Sequence, residues 1–273
     1  PRWKTAASWP SPAADPATGC ARNSAVTVPY EAHPGAPAQL PLSFAIVLAG
    51  GTGRRMGGAS KPDVIVAGRR MIDHVLGELA AQSVPAVVVG PPDLAVPVDA
   101  PTGVTLVRED PPFGGPAAGI AAGYDAGPLS PGALVAILAC DAPFAPRVLP
   151  DLVAAASDSG RPTSIDDASS GSGRATSTED AAADSSATSV GAVAITPDRR
   201  LQRLLCVVDS GVLGAAIRRL DDDGGVRDRS VRALLGDLPL TPVDVPAWAT
   251  DADTPDDVIA LERMSPDGRE SSR

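Results

Sequence analysis

Residues 44–48 form an uninterrupted apolar run, Phe44-Ala45-Ile46-Val47-Leu48. Two residues later it opens into a glycine-dense loop, Gly50-Gly51-Thr52-Gly53-Arg54-Arg55-Met56-Gly57-Gly58-Ala59-Ser60-Lys61. An apolar run without alternation predicts a strand buried on both faces, as in a parallel sheet covered by helices on either side. Glycines placed directly after such a strand let main-chain N–H groups approach phosphate oxygens without a Cβ in the way. Arg55 adds a planar fork to the loop, and Lys61 adds a compact point charge. Strand, loop and fixed positive charge together narrow the chain to an α/β fold with an anion site at a strand end.

The rest of the sequence extends this pattern. Apolar segments at 86–89, 104–107 and 134–138 predict further strands, and the stretches 72–82 and 117–126 between them predict helices. Alternating strands and helices indicate a three-layer, Rossmann-like α/β domain with a mainly parallel sheet. A hairpin is predicted from 190–195 and 204–208 around the Pro197-Asp198 turn, followed by helices at 212–220 and 230–235. Asp253-Thr254-Pro255-Asp256-Asp257 opens a last helix, with Thr254 as N-cap, Pro255 in the first turn and acids beside the positive end of the helix dipole. The Ala-, Pro- and Ser-rich residues 1–42 predict a disordered leader. The segment 157–189 predicts a disordered insertion, because the stretch 157–190 holds ten Ser, four Thr and one isolated Ile165 and has too little apolar surface to offset the entropy of ordering. One domain over 43–262, interrupted by that insertion, and a frayed tail over 263–273 complete the expected organisation.

Charge and composition exclude several classes of function. The chain carries 23 Lys+Arg against 33 Asp+Glu, a formal net charge of −10, and offers no basic stripe to neutralise a nucleic-acid backbone or a membrane surface. Two histidines are too few for a histidine-rich metal site. Three distant cysteines, Cys20, Cys140 and Cys206, give neither a disulfide framework nor a zinc pattern and suit a reducing cytoplasm. No apolar run approaches the ~18–20 residues of a membrane span, and residues 1–42 lack the apolar core of a secretory signal.

The loop fits neither of two common phosphate motifs. A P-loop needs Gly before Lys-[Ser/Thr], and here Ser60 precedes Lys61 and Pro62 follows it. A dinucleotide fingerprint needs a third Gly where Met56 stands. Three more segments carry chemistry. Arg108-Glu109-Asp110-Pro111-Pro112-Phe113-Gly114-Gly115-Pro116 runs from a strand end into a helix N-terminus, a second surface that a nucleotide can approach closely. Leu138-Ala139-Cys140-Asp141-Ala142-Pro143 places an acid at the end of a buried strand, where open α/β sheets bind their ligands. Asp251-Ala252-Asp253-Thr254-Pro255 sets two acids ahead of the last helix, where helix capping accounts for the same residues.

Leu48 to Lys61 resembles the L-A-G-G-x-G-x-R-M-x…K signature of GT-A-like nucleotidyltransferases. Its Met56-Gly57-Gly58…Lys61 ending is similar to the molybdenum cofactor guanylyltransferases. The resemblance implies a GT-A-like fold and a Mg²⁺-dependent transfer of GMP from GTP to the phosphate of molybdenum-bound molybdopterin, with pyrophosphate released. It implies a nucleotide site built from Leu48, Ala49, Gly50, Gly51, Gly53, Lys61, Asp110, Gly115 and Asp141, with Lys61, Arg55 and Asp141 serving catalysis. Mg²⁺ is expected on Asp141 with a second contact at Asp253, and Arg203, Arg229 and Arg232 are candidates for the acceptor phosphate. The implied partners are GTP, molybdopterin or the molybdenum cofactor, and molybdoenzymes or other cofactor-biosynthesis proteins. Two departures stand out: Gly90-Pro91-Pro92 where some guanylyltransferases carry Asn, and Gln202-Arg203-Leu204 where relatives usually carry a central Pro. A cytidylyltransferase of molybdopterin, a guanylyltransferase of a phospholactate-type acceptor, and a non-catalytic nucleotide-binding partner of a molybdoenzyme are the competing readings.

Overall fold

The computed structural model describes residues 41–50, 60–96, 103–130, 132–158 and 189–264. The leader up to residue 40, most of the Ser-rich insertion, the tail from 265, and Gly51, Gly53 and Arg55 of the glycine loop lie outside them.

Among the described residues seven strands make one sheet: β1 (Leu42–Leu48), β4 (Ala86–Val89), β5 (Val104–Val107), β6 (Leu134–Ala139), β7 (Gly191–Ile195), β8 (Leu201–Asp209) and β9 (Leu240–Asp244), in the order β5-β4-β1-β6-β8-β7-β9. The pairs β1–β4, β4–β5, β1–β6 and β7–β9 are parallel, and β8 alone runs against its neighbours. A separate two-stranded hairpin, β2 (Ile65–Val66) with β3 (Arg69–Arg70), leads into α1 (Met71–Ala81). The sheet is mainly parallel, as expected.

Helices cover both faces. Ala45 and Val47 of β1 point into a core shared with α1 and α3 (Leu149–Asp158), through Ile72, Leu76, Leu149 and Leu152. Phe44 and Ile46 point the other way, towards α2 (Gly115–Ala126), α4 (Ser210–Asp222) and α5 (Val231–Leu235), through Ile120, Leu213 and Leu234. A strand with apolar neighbours on both sides has no polar positions to alternate, which is why β1 reads as a continuous apolar run. Helix α2 lies unusually close to the sheet: a Cβ on Gly123 would stand 2.6 Å from the Ile46 side chain.

Several boundaries differ from the sequence expectation. Leu42 belongs to β1 rather than to the leader, since it is buried and pairs with Leu134. Ser157 and Asp158 belong to α3 rather than to the insertion, and the Ser157 hydroxyl donates to the Val153 carbonyl at 2.9 Å, one helical turn back. The last helix, α6 (Pro255–Met264), carries Arg263 and Met264 out of the expected tail. Among the described residues no helix is long and apolar enough to cross a membrane.

Candidate functional site

The chain leaves β1 outward to β4 and β5, then crosses back to β6 on the other side of β1. The loops after β1 and β6 therefore diverge, and this switch point is where open α/β sheets hold ligands. Both strands continue past their formal ends: Ala49 N–H bonds Val89 O at 2.8 Å, and Cys140 N–H bonds Leu48 O at 3.0 Å. Gly50 leaves the edge exposed to solvent, and Asp141 stands across the gap at the end of β6.

Three side chains far apart in the chain meet here. Lys61 Nζ donates to Asp141 Oδ2 at 2.7 Å and to Asp253 Oδ1 at 2.6 Å. A third apolar cluster lies where their backbones converge, joining Val64 and Val66 of the hairpin region, Phe144 three residues beyond Asp141, and Ala252, Val258 and Leu261 around Asp253. Ala252 N–H also donates to the Asp141 carbonyl at 2.9 Å. Asp253 is fixed from behind by Asp257, whose Oδ2 accepts from the N–H groups of Asp253 and Thr254, while Thr254 Oγ1 accepts from Asp257 N–H. Capping and site building are thus done by the same short segment, through Asp253, Thr254 and Asp257, and the two readings of it do not compete.

The electrostatics follow from burial. Desolvation pulls the Lys61 ammonium down, but the hydrogen bonds and charges of Asp141 and Asp253 outweigh it, and its pKa lies above that of an ordinary lysine. Desolvation pushes the Asp141 carboxyl up, and the bond from Lys61 only partly opposes it. Asp141 Oδ1 is buried and has no hydrogen-bond partner, while Oδ2 holds the lysine. An orphaned carboxylate oxygen is costly to keep in a core and is an inviting hard donor. Only two lysines occur in the chain, Lys4 and Lys61, beside twenty-one arginines. A compact ammonium fits between two converging carboxylates, and a planar guanidinium does not replace it there.

One further ion-pair group was not foreseen. Arg70 grips Asp73 through both oxygens, Nε to Oδ2 at 2.8 Å and Nη2 to Oδ1 at 2.6 Å, and reaches Asp63 Oδ1 at 3.2 Å. Asp63 ends the short turn that begins with Lys61, so this arginine ties the lysine's turn to the first turn of α1. The i, i+3 spacing of Arg70 and Asp73 at a helix start was the available sequence signal.

The other expected site residues lie elsewhere. Asp110 follows β5 and, with Glu109, lines a cleft of about 390 Å³ between α2 and α4, bounded further by Tyr124, Arg218 and Arg227. Gly115 begins α2 with φ +84°, a conformation that favours glycine. Arg203 is half-buried on β8. Arg229 is tied to the Asp223 carbonyl at 2.6 Å, and Arg232 lies exposed on α5. The three arginines sit on three different segments. Cys140 and Cys206 are free and buried; burial pushes both thiols up, Cys206 to about 12, so neither is poised as a nucleophile.

An open, mainly parallel seven-stranded sheet with a lysine–carboxylate cluster at its switch point places the molecule in the GT-A-like class of α/β folds. The MobA-like NTP transferase domain matches residues 45–234, and the chain belongs to that family. It is 46% identical over 112 residues to a molybdenum cofactor guanylyltransferase of Bradyrhizobium sp. (strain ORS 278), covering 40% of this chain and 50% of that protein. To the molybdenum cofactor guanylyltransferase of Acidiphilium cryptum (strain JF-5) it is 37% identical over 110 residues, covering 38% and 53%. The matched segments thus span about half the length of each relative. In fold it resembles the 2-C-methyl-D-erythritol 4-phosphate cytidylyltransferase of Thermus thermophilus, with a TM-score of 0.53, 18% identity and coverage of 82% of this chain and 98% of that one. It also resembles molybdopterin-guanine dinucleotide biosynthesis protein A of Archaeoglobus fulgidus, with a TM-score of 0.50, 18% identity and coverage of 81% and 97%.

Proposed function

We propose that the protein transfers GMP from GTP to the terminal phosphate of molybdenum-bound molybdopterin, giving the guanine dinucleotide cofactor and pyrophosphate. The observation that carries this reading is Lys61 held between Asp141 and Asp253 at the sheet's switch point. Membership of the MobA-like family and the likeness to two guanylyltransferases support the choice of nucleotide and acceptor.

An acceptor phosphate oxygen attacks the α-phosphorus of GTP. A new oxygen–phosphorus bond forms, the bond to the β-phosphate oxygen breaks, and pyrophosphate leaves with the electron pair. Such a transfer needs positioning and charge stabilisation rather than a covalent intermediate. Lys61 supplies fixed positive charge for the leaving pyrophosphate, and Arg55 with the N–H groups of the glycine loop, including Gly51 and Gly53, is assigned to the same task on sequence grounds. Leu48, Ala49 and Gly50 give the nucleotide an unobstructed edge; Asp110 and Gly115, which follow β5 two strands away from β1, are assigned to the nucleotide on sequence grounds. Arg203 is the favoured acceptor-phosphate ligand of the three arginines, because Arg229 is already engaged by Asp223.

Magnesium suits the residues present. Asp141 and Asp253 offer hard oxygen donors converging on one cation, and Asp141 Oδ1 has no protein partner. Among the described residues no three His, Cys, Asp or Glu side chains gather into a metal cage. That fits an ion that takes one or two carboxylates and completes its shell with water and phosphate oxygens. Asp141 and Asp253 would hold it, and when bound it would neutralise charge on the triphosphate.

Pyrophosphate release with GTP and with CTP, with and without the molybdenum cofactor and Mg²⁺, tests the proposal. Release that needs GTP, acceptor and Mg²⁺ together is expected, and it should be abolished in Asp141→Asn. Release supported by CTP alone, by GTP without acceptor, or by the variant at wild-type rate would refute it.

A further inference from the structure

Phe113 is presented to solvent in a way that loop closure alone does not require. It is 72% exposed, against at most 45% for the other exposed large apolar side chains among the described residues. Its φ is +63°, in the left-handed region that a bulky residue enters only at a cost. Two glycines follow it directly, so a chain that needed only a turn had the cheaper residue to hand.

The surrounding groups hold this conformation in place. Phe113 N–H donates to Glu109 Oε1 at 3.0 Å. Arg227 donates to the carbonyls of Pro111 at 2.9 Å and Pro112 at 3.4 Å, and Asp228 N–H donates to the Gly114 carbonyl at 2.7 Å. The Arg108 guanidinium lies 5.6 Å from the centre of the Phe113 ring and interacts with its π-system. Strain that the surroundings over-determine in this way clusters at ligand-binding positions.

We propose that Phe113, backed by Arg108, is a stacking platform for the base of the nucleoside triphosphate. The inference rests on the nucleotidyltransfer reading and adds to it the residue that contacts the ring. Phe113 follows β5 and Asp141 follows β6, at the same edge of the sheet and three strands apart. Three interstrand steps make roughly 14 Å, a separation that an extended nucleotide bridges from its base to its outer phosphates. Beyond Pro111 and Pro112 the loop turns charged at Arg108, Glu109 and Asp110, and the other exposed large apolar side chains among the described residues, Leu129, Leu201 and Ile259, lie on other segments, which favours one flat polar-edged ligand over a protein surface.

Calorimetric titration of the full chain with GTP and with inorganic tripolyphosphate, both with Mg²⁺, tests this. Phe113→Gly and Phe113→Ala are expected to weaken GTP roughly 5- to 150-fold, the worth of one base–aromatic stack. Tripolyphosphate affinity should be unchanged, and Phe113→Trp should retain GTP binding. Phe113→Gly should melt no lower than wild type, because glycine accepts this φ without strain. Unchanged GTP affinity, an equal loss for tripolyphosphate, or a loss confined to the KM of the acceptor overturns the platform while leaving the nucleotidyltransfer reading intact. A wild-type chain that binds no nucleoside triphosphate sinks both. Should it bind CTP rather than GTP, the guanine assignment fails and the same variants test the platform on CTP.

Discussion

Replacing Lys61 by Met should expose how much of the site is held by one charge. The ammonium is 2.7 Å from Asp141 and 2.6 Å from Asp253, and the three side chains are 19%, 16% and 37% exposed. Breaking a fully buried pair costs about 3–5 kcal/mol, whereas exposed pairs are worth about 0.2–1 kcal/mol. The partial exposure here puts the loss at about 2 kcal/mol. In a domain of this size that corresponds to a fall in Tm of roughly 4–8 °C.

The loss should depend on pH in a particular direction. Burial raises the folded-state pKa of Asp141, and Asp251 and Asp253 raise it further, while its value in the unfolded chain is about 3.9. The folded protein therefore takes up the Asp141 proton before the unfolded chain does. In the variant, the uncompensated buried carboxylate is relieved as pH falls through the folded pKa towards about 3.9. Lys61 has a raised pKa, so its stabilising share in the wild type is fully present below about 10.4 and is lost only as pH rises beyond that. The gap between wild type and Lys61→Met should be widest near neutrality and narrow towards about pH 4. Thermal unfolding followed by circular dichroism across that range measures it. A variant melting within ~1 °C of wild type near neutrality, or a gap that does not change with pH, would refute the account.

Other substitutions probe separate parts of the argument. Arg70→Met should lower stability by about 1–2 kcal/mol and reduce kcat more than nucleotide affinity, because it frees the turn that carries Lys61; Arg70→Lys should recover little, and steady-state kinetics with melting curves decide it. Gly191→Ala should cost about 3 kcal/mol or more, since its Cβ would stand 2.1 Å from the Val207 carbonyl oxygen, which is backbone in the adjacent strand and cannot move aside; urea unfolding measures the loss. Gly123→Ala should cost only about 1 kcal/mol, because crowding of the Ile46 side chain is offset by roughly 1 kcal/mol of better helix propensity. A loss at residue 123 as large as that at 191 would show that α2 cannot shift relative to the sheet.

How far the sequence foretold this structure depended on whether a feature is local. Strands β4 and β5 match the expectation residue for residue, because a Pro precedes β4, a Gly precedes β5, β4 is continuously apolar and β5 is interrupted only by Thr105, itself a good strand former. Strand β9 was missed: Leu240-Thr-Pro-Val-Asp244 holds a proline and is at best half-buried, an edge strand without alternation. Helix α3 was missed because its buried residues, Leu149, Leu152 and Val153, span barely more than one turn before the Ser-rich stretch begins. The two-residue strands β2 and β3 are too short to show any period.

The site divides the same way. A glycine loop after a strand and an acid at a strand end are local signals, and Gly50 and Asp141 fall at the same edge of the sheet. That Lys61 closes on Asp141 and Asp253, 80 and 192 residues away, has no local signature, and only the family resemblance brought the three together in advance. The strain at Phe113 runs against the local signal, since Phe-Gly-Gly assigns any left-handed conformation to the glycines. Gly115 does adopt one, yet Gly114 has φ −76° and Phe113 takes φ +63° in its place. Propensity therefore failed at an exposed aromatic whose loop is held by four hydrogen bonds, one from Phe113 N–H to Glu109, two from Arg227 to the Pro111 and Pro112 carbonyls and one from Asp228 N–H to the Gly114 carbonyl. A local rule broken at this end of the sheet, and enforced by its surroundings, is the kind of strain that folding alone does not call for and that the proposed base contact accounts for.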